Sequence, residues 1–119
     1  MNRDGSGRDP TYSYMWEFRI KREFKSEFEE LYGSEGEWVR LFQRGDGYLG
    51  TEFFRDLRVD GRYVTIDYWS SRAAYEGFRE RFRDAYEQLD GHCAHMTEKE
   101  LRLGEFTCEK MLAMKAEEG

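Results

Sequence analysis

Proline occurs once in the 119 residues, at Pro10, and cysteine twice, at Cys93 and Cys108. Two cysteines cannot build the dense cross-linked framework of a small secreted domain, and free thiols are the default in a reducing compartment, so no structural disulfide is expected. No apolar run approaches the ~18 residues of a membrane helix, and the N-terminal stretch has no signal-peptide apolar core. These absences predict a cytoplasmic protein with no membrane partner. Excess positive charge is missing too: 19 Lys and Arg stand against 25 Asp and Glu, a net charge of -6. The arginines are interleaved with acids, which excludes an extended nucleic-acid footprint. Gly45, Gly47 and Gly50 are not followed by Lys-Ser/Thr at the head of a helix, so no phosphate loop is present and nucleotide binding has no support.

What the chain has instead is rings. Aromatic residues make up 17% of a sequence that is 37% charged. Its few apolar positions are therefore filled by large side chains, and ring-rich cores can leave pockets. The length suits one domain, close to the size at which pairing with a second copy adds useful burial. Residues 1–12 have almost nothing to bury and read as a disordered tail, 13–110 as the folded domain, and 111–119 as a C-terminal tail.

Tyr14 to Lys21 sets Trp16, Phe18 and Ile20 against Met15, Glu17 and Arg19, the period of a strand. Phe24, Phe28, Leu31 and Tyr32 fall at helical spacing, which predicts a helix over Glu23 to Tyr32 ended by a left-handed Gly33. Ser34 to Glu37 has the spacing of a capping box for a short helix carrying Trp38, Leu41 and Phe42. Tyr48 to Leu57 alternates again, with Leu49, Thr51 and Phe53 on one side and Tyr48, Glu52 and Phe54 on the other. The Asp60-Gly61 turn joins this strand as a hairpin to Arg62 to Trp69, whose bulk on both faces marks a central strand. A helix from Ala73 to Leu89 follows, capped by Ser70 or Ser71, and its stripe of Tyr75, Phe78, Phe82, Tyr86 and Leu89 packs back onto the sheet. Thr97 to Glu100 is a second capping box, and a last strand is expected near Leu103 to Lys110.

The order strand, helix, strand, strand, helix, strand predicts an α+β fold, a ferredoxin-like βαββαβ antiparallel sheet with helices on one face. Its other face needs a cover. Glu17 and Arg19 on a central strand point to a partner chain or a wet cleft there, because unpaired buried charge is unfavourable.

Several runs, in order and spacing, resemble the antibiotic biosynthesis monooxygenase (ABM) family of small dimeric α/β-barrel proteins. They are Trp16 with Phe18, Phe28-Glu29 with Tyr32-Gly33, Trp38 with Leu41-Phe42, Gly47 through Glu52, and Thr65-Ile66-Asp67-Tyr68-Trp69 leading to Tyr75 and Phe78. The resemblance spans Tyr14 to Phe106. It implies a homodimer of two ferredoxin-like sheets packed face to face, with a ligand cavity between sheet and helices in each chain. Family members include cofactor-free oxygenases of polyketide anthrones or quinols, and haem-degrading enzymes. In the anthrone type a strand-end Trp and a Tyr six residues later line the substrate site, positions held here by Trp69 and Tyr75. Those enzymes also carry an Asn four residues before the Trp and an Arg late on the helix, where this chain has Thr65 and Leu89. The haem-degrading branch places a His on that helix, near Arg79 here, so haem binding is not expected. The resemblance thus implies a cofactor-independent monooxygenase (an oxidoreductase) of a phenolic, quinol or polyketide-type small aromatic molecule. A non-catalytic pocket protein or a structural dimer of the same fold is the alternative.

Candidate catalytic residues are Asp67, Trp69 and Tyr75, with Thr65, Trp69, Tyr75 and Phe78 binding substrate. For Trp69 and Tyr75 the competing reading is packing of helix onto sheet. Asp67 can accept a proton from a phenol or enol if burial raises its pKa, whereas an ion pair with a nearby Arg would leave it no such role. His92, Cys93 and His95, expected in a loop after Asp90-Gly91, match no zinc-ligand spacing and lack a second cluster, so no metal is expected. Ser70 and Ser71 are better caps than nucleophiles.

Overall fold

The register of the sheet is set at one turn. Gly61 takes φ 84°, a conformation open to glycine at little cost, and the Asp56 carboxylate accepts hydrogen bonds from the backbone N–H groups of Arg58 and Val59. In the computed structural model, which describes residues 11–107, this turn joins β2 (Tyr48–Arg55) to β3 (Arg62–Trp69). Arg55 then lies opposite Tyr63, Phe53 opposite Thr65 and Thr51 opposite Asp67. The antiparallel order β2-β3-β1-β4 is completed by β1 (Tyr12–Ile20) and β4 (Thr97–Thr107). Residues 1–10, Cys108 and the C-terminal tail lie outside the described residues, and Tyr12, placed by sequence at the end of the first tail, begins β1.

Four helices cover one face: α1 (Lys25–Tyr32), α2 (Glu37–Phe42), α3 (Arg72–Arg81) and α4 (Arg83–Cys93). Their rings meet the alternate residues of the strands, Phe28 against Phe18 and Tyr63, Phe78 against Trp69, and Tyr75 against Tyr14. The fold is therefore the ferredoxin-like α+β arrangement that the order of elements predicts.

Local signals lost to tertiary context at six places. The helix expected from Ala73 to Leu89 is two helices, broken at Phe82 (φ -111°, ψ 31°), although the three- and four-residue spacing of its rings continues through the break. Its second half runs on through Asp90-Gly91 to Cys93, so His92 and Cys93 are helical rather than in a loop. The second capping box opens no helix: Thr97 begins β4, whose pairing with β1 from Ile20 to Tyr12 outweighs the local signal. Gly33 is extended (φ -78°, ψ -176°) rather than left-handed, and α2 is preceded by Gly36 with no side-chain cap. In β2 the register shifts between Tyr48 and Gly50, which moves Tyr48 to the face of Thr51 and leaves Leu49 57% exposed. Ser71, of the two serines, is the cap, accepting from the Ala74 N–H at 3.0 Å.

The uncovered face is also different from expectation. Glu17 accepts from Arg62 Nε at 2.8 Å and from Arg19 Nε at 3.2 Å, and Arg62 Nη1 reaches Asp56 at 2.7 Å. The charges on the central strand are paired within the chain and need no partner. Apolar side chains surround them: Val64 with Phe54, Ile66 with Met15, and Leu101 and Phe106 along β4 occupy the same face by register.

Candidate functional site

Sheet and helices do not close completely on each other. Between them lies a narrow cavity of about 50 Å³ that opens to solvent. Tyr14, Trp16 and Phe18 of β1, Thr51 of β2, and Thr65 and Asp67 of β3 form its floor, while Tyr32, Trp38, Phe42 and Tyr86 roof it. Asp90 of α4 and Glu100 of β4 also line it. An apolar lining with a few placed polar groups is what binds small molecules.

Asp67 is the central polar group. It is 5% exposed, pairs across the ladders with Thr51 and Tyr14, and has no cationic partner among the described residues. The ion-pair reading of this carboxylate therefore fails. Its carboxylate accepts a hydrogen bond from Thr51 Oγ1 at 2.6 Å. That hydroxyl directs its single O–H at Asp67, so Tyr48 is the donor in the 2.5 Å contact between Tyr48 Oη and Thr51 Oγ1. The two bonds form a chain from half-buried Tyr48 to the acid. Burial drives the Asp67 pKa up and the Thr51 hydroxyl holds it back, leaving it at about 7. A carboxyl at this value is poised to take and return a proton near neutral pH.

The other sequence candidates fall in two groups. Thr65 lines the cavity beside Asp67. Trp69, Tyr75 and Phe78 do come together, with Trp69 edge-on to Tyr75 at 5.6 Å and 5.0 Å from Phe78, but as a packed ring cluster outside the lining. Trp69 is 0% exposed, with Tyr48 and Phe42 against its remaining edges. Tyr75 reaches the cavity through Tyr14, 4.7 Å away between ring centroids. It also accepts from Arg79 Nη1 at 2.9 Å, while the Arg79 guanidinium lies 3.8 Å over the Tyr86 ring.

Sequence reasoning missed Tyr14, Trp38 and Thr51. Tyr14 and Trp38 are nearly fully buried, yet among the described residues the Tyr14 hydroxyl and Trp38 Nε1 have no aligned hydrogen-bond partner. Burial raises the Tyr14 pKa far above that of a free phenol, and the nearby Asp67 charge adds to the effect. Counting back from a two-residue Asp60-Gly61 turn sets Phe54 opposite Asp67; the connection is longer, with Asp56 N–H bonded to the Arg62 carbonyl, and this brings Thr51 there instead. Around His92 no metal site forms: among the described residues no group of three or more His, Cys, Asp or Glu is placed to hold an ion. Cys93 is free and buried.

Fold and cavity define a ferredoxin-like α+β protein with a ring-lined cavity headed by a buried acid. Over residues 11–88 the chain matches the family described as antibiotic biosynthesis monooxygenase, and it belongs to that family. No curated protein matches it. Among solved structures it is similar to SnoaB, a cofactor-independent oxygenase from Streptomyces nogalater, at a TM-score of 0.67 and 17% identity over 89% of this chain and 100% of that one. A Bordetella bronchiseptica protein provisionally assigned as an antibiotic biosynthesis monooxygenase matches at 0.64 and 13%, over 87% and 100% of the chains. MupZ from Pseudomonas fluorescens matches at 0.60 and 11%, over 82% and 69%. At these identities the likeness is one of fold.

Proposed function

We propose that the protein is a cofactor-independent monooxygenase of a phenolic, quinol or polyketide-type aromatic molecule, working as a homodimer. The observation that carries this reading is Asp67, a buried carboxyl without a cation, at one end of a cavity walled by rings. A flat aromatic ligand fits such walls by stacking and area. Asp67 takes the proton of its acidic hydroxyl or enolisable carbon, and the resulting electron-rich anion gives one electron to dioxygen. Recombination of the radical pair forms a carbon–oxygen bond, and a proton completes the hydroperoxide. Loss of the remaining proton on that carbon with cleavage of the O–O bond releases water and leaves a carbonyl, so one oxygen atom enters the product and the other leaves as water. The unpartnered Tyr14 hydroxyl stands where it can donate to charge developing on oxygen. The family, and the likeness to a fold neighbour described as a cofactor-independent oxygenase, support the reading.

Oxygen uptake with a panel of anthrones and quinols in metal-free buffer tests it, wild type beside Asp67→Asn. Uptake reduced about 100-fold or more in the variant is expected for loss of a general base. Equal rates remove Asp67 from the mechanism, and no uptake across the panel leaves a binding protein.

A further inference from the structure

The cavity carries charge of one sign. Asp67, Asp90 and Glu100 line it and, among the described residues, no Lys, Arg or His does. Tyr86 and Asp90 are four residues apart and so share a face of α4, while Glu100 lies opposite Phe18 on β4. Neither Asp90 nor Glu100 has a hydrogen-bond or ion-pair partner among the described residues. Desolvation raises the Glu100 pKa, and the charge of Asp90 adds to it. The two acids therefore stand close enough to repel.

Between these acids and Asp67 the walls are rings. Trp38 meets Tyr86 edge-on at 5.0 Å; the Arg79 guanidinium covers one face of Tyr86 at 3.8 Å and that of Arg102 lies 5.5 Å from the Tyr14 ring, which leaves the rings of Trp16, Phe18, Tyr32, Trp38 and Phe42 for a ligand. Ring faces are negative and attract cations, the more so out of bulk water. Two lining side chains that are more than nine-tenths buried, Tyr14 at 3% exposure and Trp38 at 6%, hold polar atoms with no aligned partner among the described residues. Buried polar atoms of this kind are normally satisfied; Trp69 lies beside the Tyr14 hydroxyl, and Tyr32 and Cys93 beside Trp38, but out of hydrogen-bonding alignment, so an acceptor on a ligand would complete both.

We propose that the molecule taken by this cavity is an aromatic amine in its cationic form, its ammonium held among ring faces by Asp90 and Glu100 and its hydroxylated ring turned toward Asp67. The orientation of the ring rests on the oxygenase reading; the charge preference does not. Neutral and anionic aromatics of the same shape bind more weakly, since the first leaves the two acids uncompensated and the second adds a third negative charge beside them.

Isothermal titration calorimetry at pH 7 with three matched probes tests this: serotonin, 3-ethylindol-5-ol and 5-hydroxyindole-3-acetate, which share a hydroxyindole and differ in charge. Serotonin is expected to bind about ten-fold tighter than the neutral probe and the acetate more weakly than both, the gap shrinking with salt. Asp90 and Glu100 are exposed at the mouth, so the Asp90→Asn, Glu100→Gln double variant should melt as wild type does and bring serotonin to within about two-fold of the neutral probe. Glu100→Lys should reverse the order of cation and anion. Equal or tighter binding of the neutral or anionic probe, an advantage that survives the double variant, or no saturable binding by any of the three below about 5 mM overturns the proposal. Oxygen uptake on neutral phenols without a charge preference overturns it while the oxygenase reading stands. Charge preference without uptake on any phenol has the opposite meaning.

Discussion

Asp67 carries opposite consequences for stability and for chemistry. Its ordinary pKa of 3.8 is raised to about 7 in the fold, so between those values the folded chain binds a proton that the unfolded chain has lost. Stability from this group is complete below pH 3.8 and falls as pH rises toward 7, by of the order of 4 kcal/mol at about 1.4 kcal/mol per unit. Asp67→Asn keeps the acceptor for Thr51 and removes the titration. Denaturant melts at pH 5 and pH 8 should show wild type losing more stability than the variant across that interval, and parallel curves would mean that Asp67 ionises freely in the fold. The proposed reaction uses the ionised form, so the acid limb of its rate profile should lie near pH 7. Thr51→Val removes the donation at 2.6 Å that holds the pKa down, and should move this limb upward. A limb that stays in place would detach Thr51 from the base.

At the level of elements, the sequence was read well where period and turn chemistry act locally, and poorly where a neighbouring element decides. The Asp60-Gly61 turn and the alternation of Tyr63, Thr65, Asp67 and Trp69 specify that a hairpin forms, but its register follows from the longer connection closed between Asp56 and Arg62, which sets Thr51 opposite Asp67. The bulge at Tyr48, the break at Phe82 and the strand start at Thr97 depend on pairing and packing that no local spacing records. The same limit explains the site: Trp69 and Tyr75 meet as their spacing requires, but which rings face open space is settled by Tyr14 and Trp38 from distant elements. Two glycines test this division. Gly77 lies inside α3 with open space where a Cβ would stand, so Gly77→Ala should raise stability by about 0.5–1 kcal/mol. Gly47 has φ 91°, and an added Cβ would meet Ser70 Oγ at 2.6 Å and Ala74 Cβ at 2.7 Å, where the loop before β2 packs on the start of α3. Gly47→Ala should therefore lower stability by more than about 1 kcal/mol. Thermal melts that move both variants in the same direction would contradict this account. Trp69→Ala, at the centre of the ring cluster, should lose about 3–5 kcal/mol, and Trp69→Phe far less.

For the whole molecule the open question is the face of the sheet away from the helices. Glu17, Arg62, Arg19 and Asp56 neutralise one another there, with the Arg62 hydrogen bond the leading cause of the lowered Glu17 pKa. The surface is thus not a patch of free charge. Around this network Phe54, Leu101, Leu103 and Phe106 are all more than 40% exposed, joined by Met15, Val64 and Ile66 on the inner strands. An apolar surface of this kind on a small domain marks an association site, and a second copy presenting the same face satisfies it by two-fold symmetry. The dimer expected on this basis has about twice the chain mass of 14.3 kDa in light scattering at micromolar concentration. Ile66, half-buried opposite Met15 and Glu52, is the position at which the monomer and the dimer respond differently. Ile66→Lys in a free monomer leaves its amine in water beside Glu52 and changes stability little. In the dimer it brings two like charges into a desolvated centre. The variant should scatter as a monomer with helix and strand content unchanged, and its melting temperature should lose the dependence on protein concentration that an associating wild type shows. A wild type that is monomeric at these concentrations, or an Ile66→Lys variant that remains dimeric, would place the interface elsewhere or remove it.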